Sequence, residues 1–249
     1  LLLRPKTLEV LATTSALVLG VVFTTVVMGV AIATGLHFVR LPFRRLLIIP
    51  AVLPLAIPSY VFTYTWIALI PNFSGFLAAG FILSITTLPY VILATLSGLR
   101  TVDTSQIEVA RSLGLTPFET FRRVVFPLVK GHISAGALLA ALYTISDFGA
   151  VSLLNVETLT VTIQNMYKAA YDRSAAAVIS FVLIALSTLV VLADERVKKQ
   201  TPNGKAIKAF SSKNLLIKNA GLSFAVIAAI ALYAFNAVVI PFYVLITRF

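Results

Sequence analysis

A chain of 249 residues that is 59% hydrophobic and only 12% charged carries about half the charge of an ordinary soluble domain, for which about 25% is usual. That balance excludes a soluble globular domain, since a single core cannot hide so much apolar surface, and it points to lipid as the solvent. The absence of cysteine excludes disulfides and thiolate metal sites. The net charge of +11 would suggest nucleic acid on a soluble protein. In a membrane protein the position of Lys and Arg matters more than their total, so nucleic acid is not an expected partner.

The chain opens on Leu1 without the basic-then-apolar order of a signal peptide, and it is expected to be a piece of a longer protein. The first span is expected from about Leu8 to Leu36, with Gly29 and Ala33 spaced four apart as small residues are where helices pack closely in lipid. His37 has no second histidine or carboxylate near it in sequence and reads as an interfacial residue. From Leu46 to Leu99 there is no Asp, Glu, Lys or Arg, a run of 54 residues. About 20 apolar residues cross a bilayer as a helix, so this run is expected to hold two spans and a turn.

The second span, Leu46 to Ile70, holds Pro50, Pro54 and Pro58 at four-residue intervals, which in a helix places them on nearly one face. Prolines are tolerated at membrane depth where protein or water re-satisfies the freed carbonyls, so this span is expected inside the bundle. Tyr60, Tyr64 and Trp66 near its far end fit either an interfacial aromatic belt or a pathway lining that offers phenol oxygens. A turn at Pro71, Asn72, Ser74 and Gly75 leads to a third span from about Phe76 to Leu96.

A fourth span is expected from Gly131 to about Leu153. Its one charge, Asp147, would lie about 24 Å along from Gly131, near the opposite interface. Asp147 therefore reads as an interface anchor or, as intramembrane carboxylates do by default, as a functional residue. A polar connection, Asn155 to Arg173, has room for a short helix around Val161 to Ala170. A fifth span, Ser174 to Ala193, follows. Asp194 to Lys218 is a hydrophilic stretch expected to be a solvated linker, and the last span is Asn219 to Thr247. With loops 37–45, 98–130 and 194–218 on one side, fifteen of the twenty Lys and Arg residues fall there and five opposite. That bias places these three loops in the cytoplasm.

Between the third and fourth spans lies the most soluble-looking stretch of the first two thirds of the chain. Asp103 followed by Gln106 is a capping-box pattern. Ile107, Ala110 and Leu113 then share one helical face, and Gly114 stops the helix. Thr116, Pro117 and Glu119 supply the cap, first-turn proline and N3 carboxylate of a second helix. Phe118, Phe121 and Val125 form its apolar face, and Pro127 is expected to end it. The result is a rigid helix–Gly–helix projection facing water. It suits docking into a partner's groove or packing on its own bundle, and amphipathicity alone does not choose.

The spacing Glu108-x-Ala110-x3-Gly114-x9-Val124-x-Phe126-Pro127 resembles the EAA loop of the membrane subunits of ABC importers. Glu108, Ala110, Gly114 and Pro127 match that pattern outright, whereas Val109 stands where the family has alanine. The run 110–127, SDFGA at 146–150, TLTVTI at 158–163 and YDRSAAA at 171–177 are similar to ferric-iron-type binding-protein-dependent permeases built from two six-span units. The resemblance implies an all-α polytopic transmembrane bundle. Residues 1–193 would be one unit lacking its first span, with a coupling loop at 98–130. Residues 194–218 would be a linker, and residues 219–249 the first span of a second unit.

It further implies an inner-membrane permease that takes solute from a periplasmic binding protein and pairs with the second unit of the same full-length chain. Cytoplasmic ABC ATPases would drive it by docking at Glu108, Ala110, Leu113, Gly114, Leu115 and Pro127. The sequence has no G-x-x-x-x-G-K-[ST] loop. ATP is therefore expected on the partner, with no cofactor or metal on this chain and no catalysis of its own. Ferric iron, a hard ion suited to phenolate and carboxylate oxygens, is the solute the resemblance favours, with Tyr60, Tyr64, Tyr143 and Asp147 as the available pathway residues. Thiamine, sulfate, phosphonate and polyamine permeases share the architecture. Two rivals remain open: a secondary transporter or channel using the broken second span, and a non-transporting scaffold.

Overall fold

The computed structural model describes residues 5–168, 173–201, 217 and 219–248. Among these the fold is helical, with one isolated backbone bridge between Val39 and Ile217. Five helical stretches are long and apolar enough to cross a bilayer: Pro5–Phe38, Phe76–Leu99, Pro117–Ser146, Arg173–Lys199 and Ala220–Arg248. In chain order the helices are α1 (Pro5–Phe38), α2 (Arg44–Val52), α3 (Ser59–Leu69), α4 (Phe76–Leu99), α5 (Thr104–Ser112), α6 (Pro117–Thr120), α7 (Phe126–Ser146), α8 (Gly149–Leu153), α9 (Leu159–Lys168), α10 (Arg173–Lys199), α11 (Ala220–Ala234) and α12 (Ile240–Arg248).

Helix α4 is the centre of the bundle. Its most apolar window is 61% buried, whereas that of α10 is 17% buried. Val91 on α4 is held between two glycines: a Cβ on Gly29 of α1 would sit 2.8 Å from Val91 Cγ1, and one on Gly136 of α7 would sit 2.8 Å from Val91 Cα. Bare glycine faces let three backbones converge where no hydrophobic driving force acts between apolar helices. The small-residue spacing at Gly29 and Ala33 is thus a helix contact, with Ala33 fully buried. Several buried hydroxyls bond back into their own helices, as Thr14 does to Val10 (2.8 Å) and Thr144 to Ala140 (2.8 Å), which satisfies these polar groups internally, away from water.

The stretch expected as a straight second span is broken. Helix α2 passes into a 3-10 turn at Leu53–Ala56, and the pair Arg44–Ala56 and Ser59–Leu69 is bent by 93°. Pro58 cannot donate to the ladder, and it forces the preceding Ile57 into extended backbone (φ −106°, ψ 121°). Pro58 instead begins α3, its carbonyl accepting from Val61 and Phe62. The three prolines therefore do not share one helical face. Trp66 does not join an aromatic belt either: it is buried, packed against Phe73 and edge-on to Phe81.

Pro127 does not end a helix. Residues Pro117–Ser146 run on as one 30-residue helix because Phe121–Val125 adopt a π-turn in which the Phe126 N–H bonds to the Phe121 carbonyl. The wider turn shifts the ladder just before a residue that has no N–H to give. The same solution recurs near the C-terminal end of the described chain: Phe235–Val239 form a π-turn closed by the Ile240 N–H on the Phe235 carbonyl, and Pro241 follows. The two heptads, FRRVVFP at 121–127 and FNAVVIP at 235–241, share Phe-x-x-Val-Val-apolar-Pro.

The fourth span stops at Ser146, well before Leu153. Helix α10 continues through Lys199, so the first six residues of the expected linker are helical. Its residues 202–216 and 218 lie outside the described residues, as do Arg4, Tyr171 and Asp172. Helices α11 and α12 pack on α1, α2 and α3, so the segment expected to open a second unit lies on the same bundle.

Candidate functional site

The three loops expected in the cytoplasm meet at one end of the bundle. Gly98 abuts the His132 ring, Gly131 abuts Thr201, and Gly35 abuts Val226. Ile217 pairs with the chain at Phe38 and Arg40 through two backbone hydrogen bonds of 2.8 and 3.2 Å. From this end α5 and α6 project as a hairpin. Asp103 caps α5, but its carboxylate accepts from the Ser105 N–H (2.9 Å) and not through a reciprocal bond with Gln106. Those hydrogen bonds hold the Asp103 carboxyl below its usual range.

At the other end of α5 the Leu115 N–H reaches the Ala110 carbonyl (3.2 Å) and the Gly114 N–H the Arg111 carbonyl (3.0 Å). This is the paired closure of a helix by a left-handed residue, and Gly114 has φ +84°. Two residues on, the Thr116–Glu119 capping box is complete: the Glu119 N–H donates to Thr116 Oγ1 (3.3 Å), and Glu119 Oε2 accepts from the Thr116 N–H (2.9 Å).

These caps fix which side chains face out. Ile107 and Ala110 are buried against the bundle, so Ala110 supports the hairpin from within. Leu113, expected to share a face with Ile107 and Ala110, is instead 78% exposed. It is the C-cap residue, with ψ near 7°, so the 3.6-residue period no longer sets its direction. Val109 is 60% and Phe118 72% exposed. The extra branching at Val109 therefore points away from the packed side. Phe121 is half-buried and Val125 buried. Glu108 and Gly114 are exposed, and Leu115 and Pro127 are partly covered. The hairpin thus offers water three large apolar side chains around a glycine-closed corner.

At the opposite end a second junction forms where two helices break. Asp147 ends α7 in extended backbone (φ −66°, ψ 129°). Its Oδ1 accepts from the Ala150 N–H (2.9 Å) at the start of α8. Its Oδ2 accepts from the Ser59 hydroxyl at the start of α3. Its backbone carbonyl accepts from Thr160 Oγ1 (2.9 Å) of α9. Nearby, the Leu159 N–H donates to Thr14 Oγ1 of α1 (3.0 Å), and the Gly75 N–H to the Leu154 carbonyl (2.8 Å). Asp147 is therefore neither a lone anchor nor an open ligand: both carboxylate oxygens are engaged in tying α3 and α8 to the end of α7.

The other candidate pathway residues gather loosely around this junction. Tyr60 follows Ser59 and lies against Gly149. Tyr143 is one turn before Asp147, its ring 6.2 Å from that of Tyr90. Tyr64 is a turn further along α3, and Tyr60 and Tyr64 are about half exposed. Among the described residues, no group of three or more His, Asp and Glu side chains is placed to hold a metal ion.

Sequence reasoning missed Ser59, Thr160 and Tyr90. It also set Asp194 in a solvated linker, whereas Asp194 is buried, with Oδ2 2.6 Å from Lys198 Nζ and Oδ1 without a hydrogen-bond partner. One signal was available for the junction: Asp147 stands two residues before the start of the short helix α8, where an Asp side chain can accept from a first-turn N–H.

Residues 25–201 match the family described as the binding-protein-dependent transport system inner membrane component. The Fe(3+)-transport system permease protein FbpB 2 of Haemophilus influenzae is 34% identical over 194 residues, 78% of this chain and 38% of that protein. The spermidine/putrescine transport system permease PotC of Escherichia coli K12 is 26% identical over 47% of this chain and 45% of its own length. The sulfate permease CysW of Synechocystis is 28% identical over 49% and 46%. The chain thus spans between a third and a half of these relatives. In fold it is similar to the MetNI methionine ABC transporter in an inward-facing conformation, with TM-score 0.64, 18% identity, and coverage of 79% of this chain and 96% of that one. With its apolar spans, central α4 and projecting hairpin, the chain belongs to the family of binding-protein-dependent transport system inner membrane components.

Proposed function

We propose that this chain is the membrane-spanning permease part of an ATP-driven importer whose hairpin 98–130 docks on a cytoplasmic ATPase. The observation that carries the reading is the outward display of Val109, Leu113 and Phe118 (60, 78 and 72% exposed) on a corner fixed by two caps. Exposed apolar side chains on a rigid element suit an interaction site, and here they lie at the end where basic residues concentrate. Glu108, Gly114 and Leu115 border the contact, while Ala110 and Pro127 set the hairpin's position. A periplasmic binding protein delivers solute to the opposite face, and the junction at Asp147, Tyr60, Tyr64 and Tyr143 borders the path.

For the solute we favour ferric iron, on the similarity to the Haemophilus permease. The sulfate and spermidine/putrescine relatives support those solutes as the second reading. The engaged carboxylate of Asp147 fits a path that releases its ion better than one that retains it.

The test uses the full-length protein with its ATPase in vesicles. Binding protein loaded with ferric iron, sulfate or spermidine is added in turn. Stimulation of ATP hydrolysis by one loaded protein names the solute, and stimulation by none favours a scaffold. Deleting Leu113–Thr116 is expected to abolish co-purification of the ATPase while membrane insertion persists. Unchanged co-purification would defeat the docking role.

A further inference from the structure

A cavity of about 340 Å³ lies beneath the hairpin, at the low end of the size range of small-ligand sites. Its walls are the last two turns of α1, the start of α11, and the inner face of the hairpin at Ile107, Phe121 and Val125. Among the described residues the lining is apolar except for threonines and one cation, Arg111, and includes no carboxylate. The acidic cap Glu119 is committed to Thr116. Thr120 also lines the cavity, is 3% exposed, and leaves its hydroxyl without a hydrogen-bond partner. An unmet buried hydroxyl is costly, and a group entering the cavity could accept from it.

The geometry points to this cavity as a site for an anionic phospholipid of the cytoplasmic leaflet, with part of one acyl chain between α1, α11 and the hairpin and its phosphate at Arg111. Three features single out a lipid. The cavity lies at the basic end of the bundle, where the membrane meets water and basic pockets between spanning helices attract acidic headgroups. Its walls suit a hydrocarbon chain. Among the described lining residues its one charge, Arg111, faces no carboxylate, which favours an anionic over a zwitterionic headgroup. A chain lodged there packs directly under Phe121 and Val125, beneath the hairpin.

The experiment uses the full-length protein in mixed micelles, with bound lipid counted by native mass spectrometry after addition of dioleoyl phosphatidylglycerol or dioleoyl phosphatidylcholine. At least a fivefold excess of phosphatidylglycerol adducts is expected. Arg111→Gln should remove that excess and Arg111→Lys should keep at least half of it. Ala31→Phe, which fills the cavity from α1, should lower binding of both lipids. Should Ala31→Phe fail to fold, as judged by thermal melting, the Arg111 pair decides alone. Equal binding of the two lipids, or an unchanged excess in Arg111→Gln, would overturn the assignment. So would an Ala31→Cys thiol shielded from alkylation only when the ATPase is added, which would make the occupant a protein.

Discussion

The two ends of the bundle break their helices in opposite ways. At the cytoplasmic hairpin the caps are local: Ser105 on Asp103, Leu115 on Ala110 and the Thr116–Glu119 box span two to five residues. The corner's hydrogen bonds are complete without the rest of the bundle, and Val109, Leu113 and Phe118 stay exposed. At the outer junction the ties are long-range. Ser59 and Asp147 are 88 residues apart, and Thr14 and Leu159 are 145 apart. Their donors and acceptors are used up inside the chain. The contrast separates a surface shaped to meet something from a knot that holds several elements in register.

The largest expected effect falls on the knot. Asp147→Ala leaves the Ala150 N–H and the buried Ser59 hydroxyl without their acceptor, at about 1–3 kcal/mol for each unsatisfied buried group. A clear drop in the thermal transition of the detergent-purified protein is expected. Asp147→Asn keeps one carbonyl oxygen as acceptor and should fall between Asp147→Ala and the parent. If Asp147→Ala melts like the parent yet abolishes transport, the carboxylate contacts the solute and the contrast between the ends fails.

The hairpin should respond less in stability and more in association. Gly114→Val places a β-branched residue at φ +84°. A conformation that side chains rarely adopt costs on the order of 1–3 kcal/mol, and the strain falls on an exposed loop. Protease cleavage between Leu113 and Phe118 should rise and ATPase co-purification should fall, with the melting of the membrane bundle little changed. A matching loss of bundle stability would mean that the Gly114 corner itself, and not only the inner face at Ile107 and Val125, supports the core.

The same contrast explains what the sequence could reveal. The hairpin's caps, its hinge at Gly114 and its side of the membrane were all readable, because capping chemistry acts over a few neighbours and charge bias is additive along the chain. The knot was not, because nothing near Asp147 names Ser59 or Thr160. The four-residue spacing of Pro50, Pro54 and Pro58 suggested one helical face only while the helix was assumed to continue, and Pro58 itself stops it. Pro127 looked like a terminator because the π-turn that accommodates it has no sequence rule as plain as a cap. Asp194 sat among Glu195, Arg196, Lys198 and Lys199 and so read as solvated, yet α10 runs past it and turns it inward. Leu113 does not keep the face it was expected to share with Ile107 and Ala110 for the converse reason, since its helix ends one residue before it.

The smallest effect on stability is also the sharpest test of the hairpin. Phe118 is 72% exposed, so Phe118→Ser removes little buried area, and surface substitutions of this kind usually stay within about 0.5 kcal/mol. The melting transition and the membrane insertion of the variant should match the parent. Docked in a groove, however, an aromatic side chain can be worth about 2 kcal/mol, which corresponds to a roughly 30-fold weaker complex. Titrating purified ATPase against the parent and the variant reads that difference directly. Equal affinities would mean that the exposed face of α6 is not part of the contact and would leave Val109 and Leu113, on the α5 side of Gly114, as the docking surface. A weaker complex with an unchanged melt would show that these apolar side chains face water in the isolated chain because their stabilising contacts are made with another polypeptide.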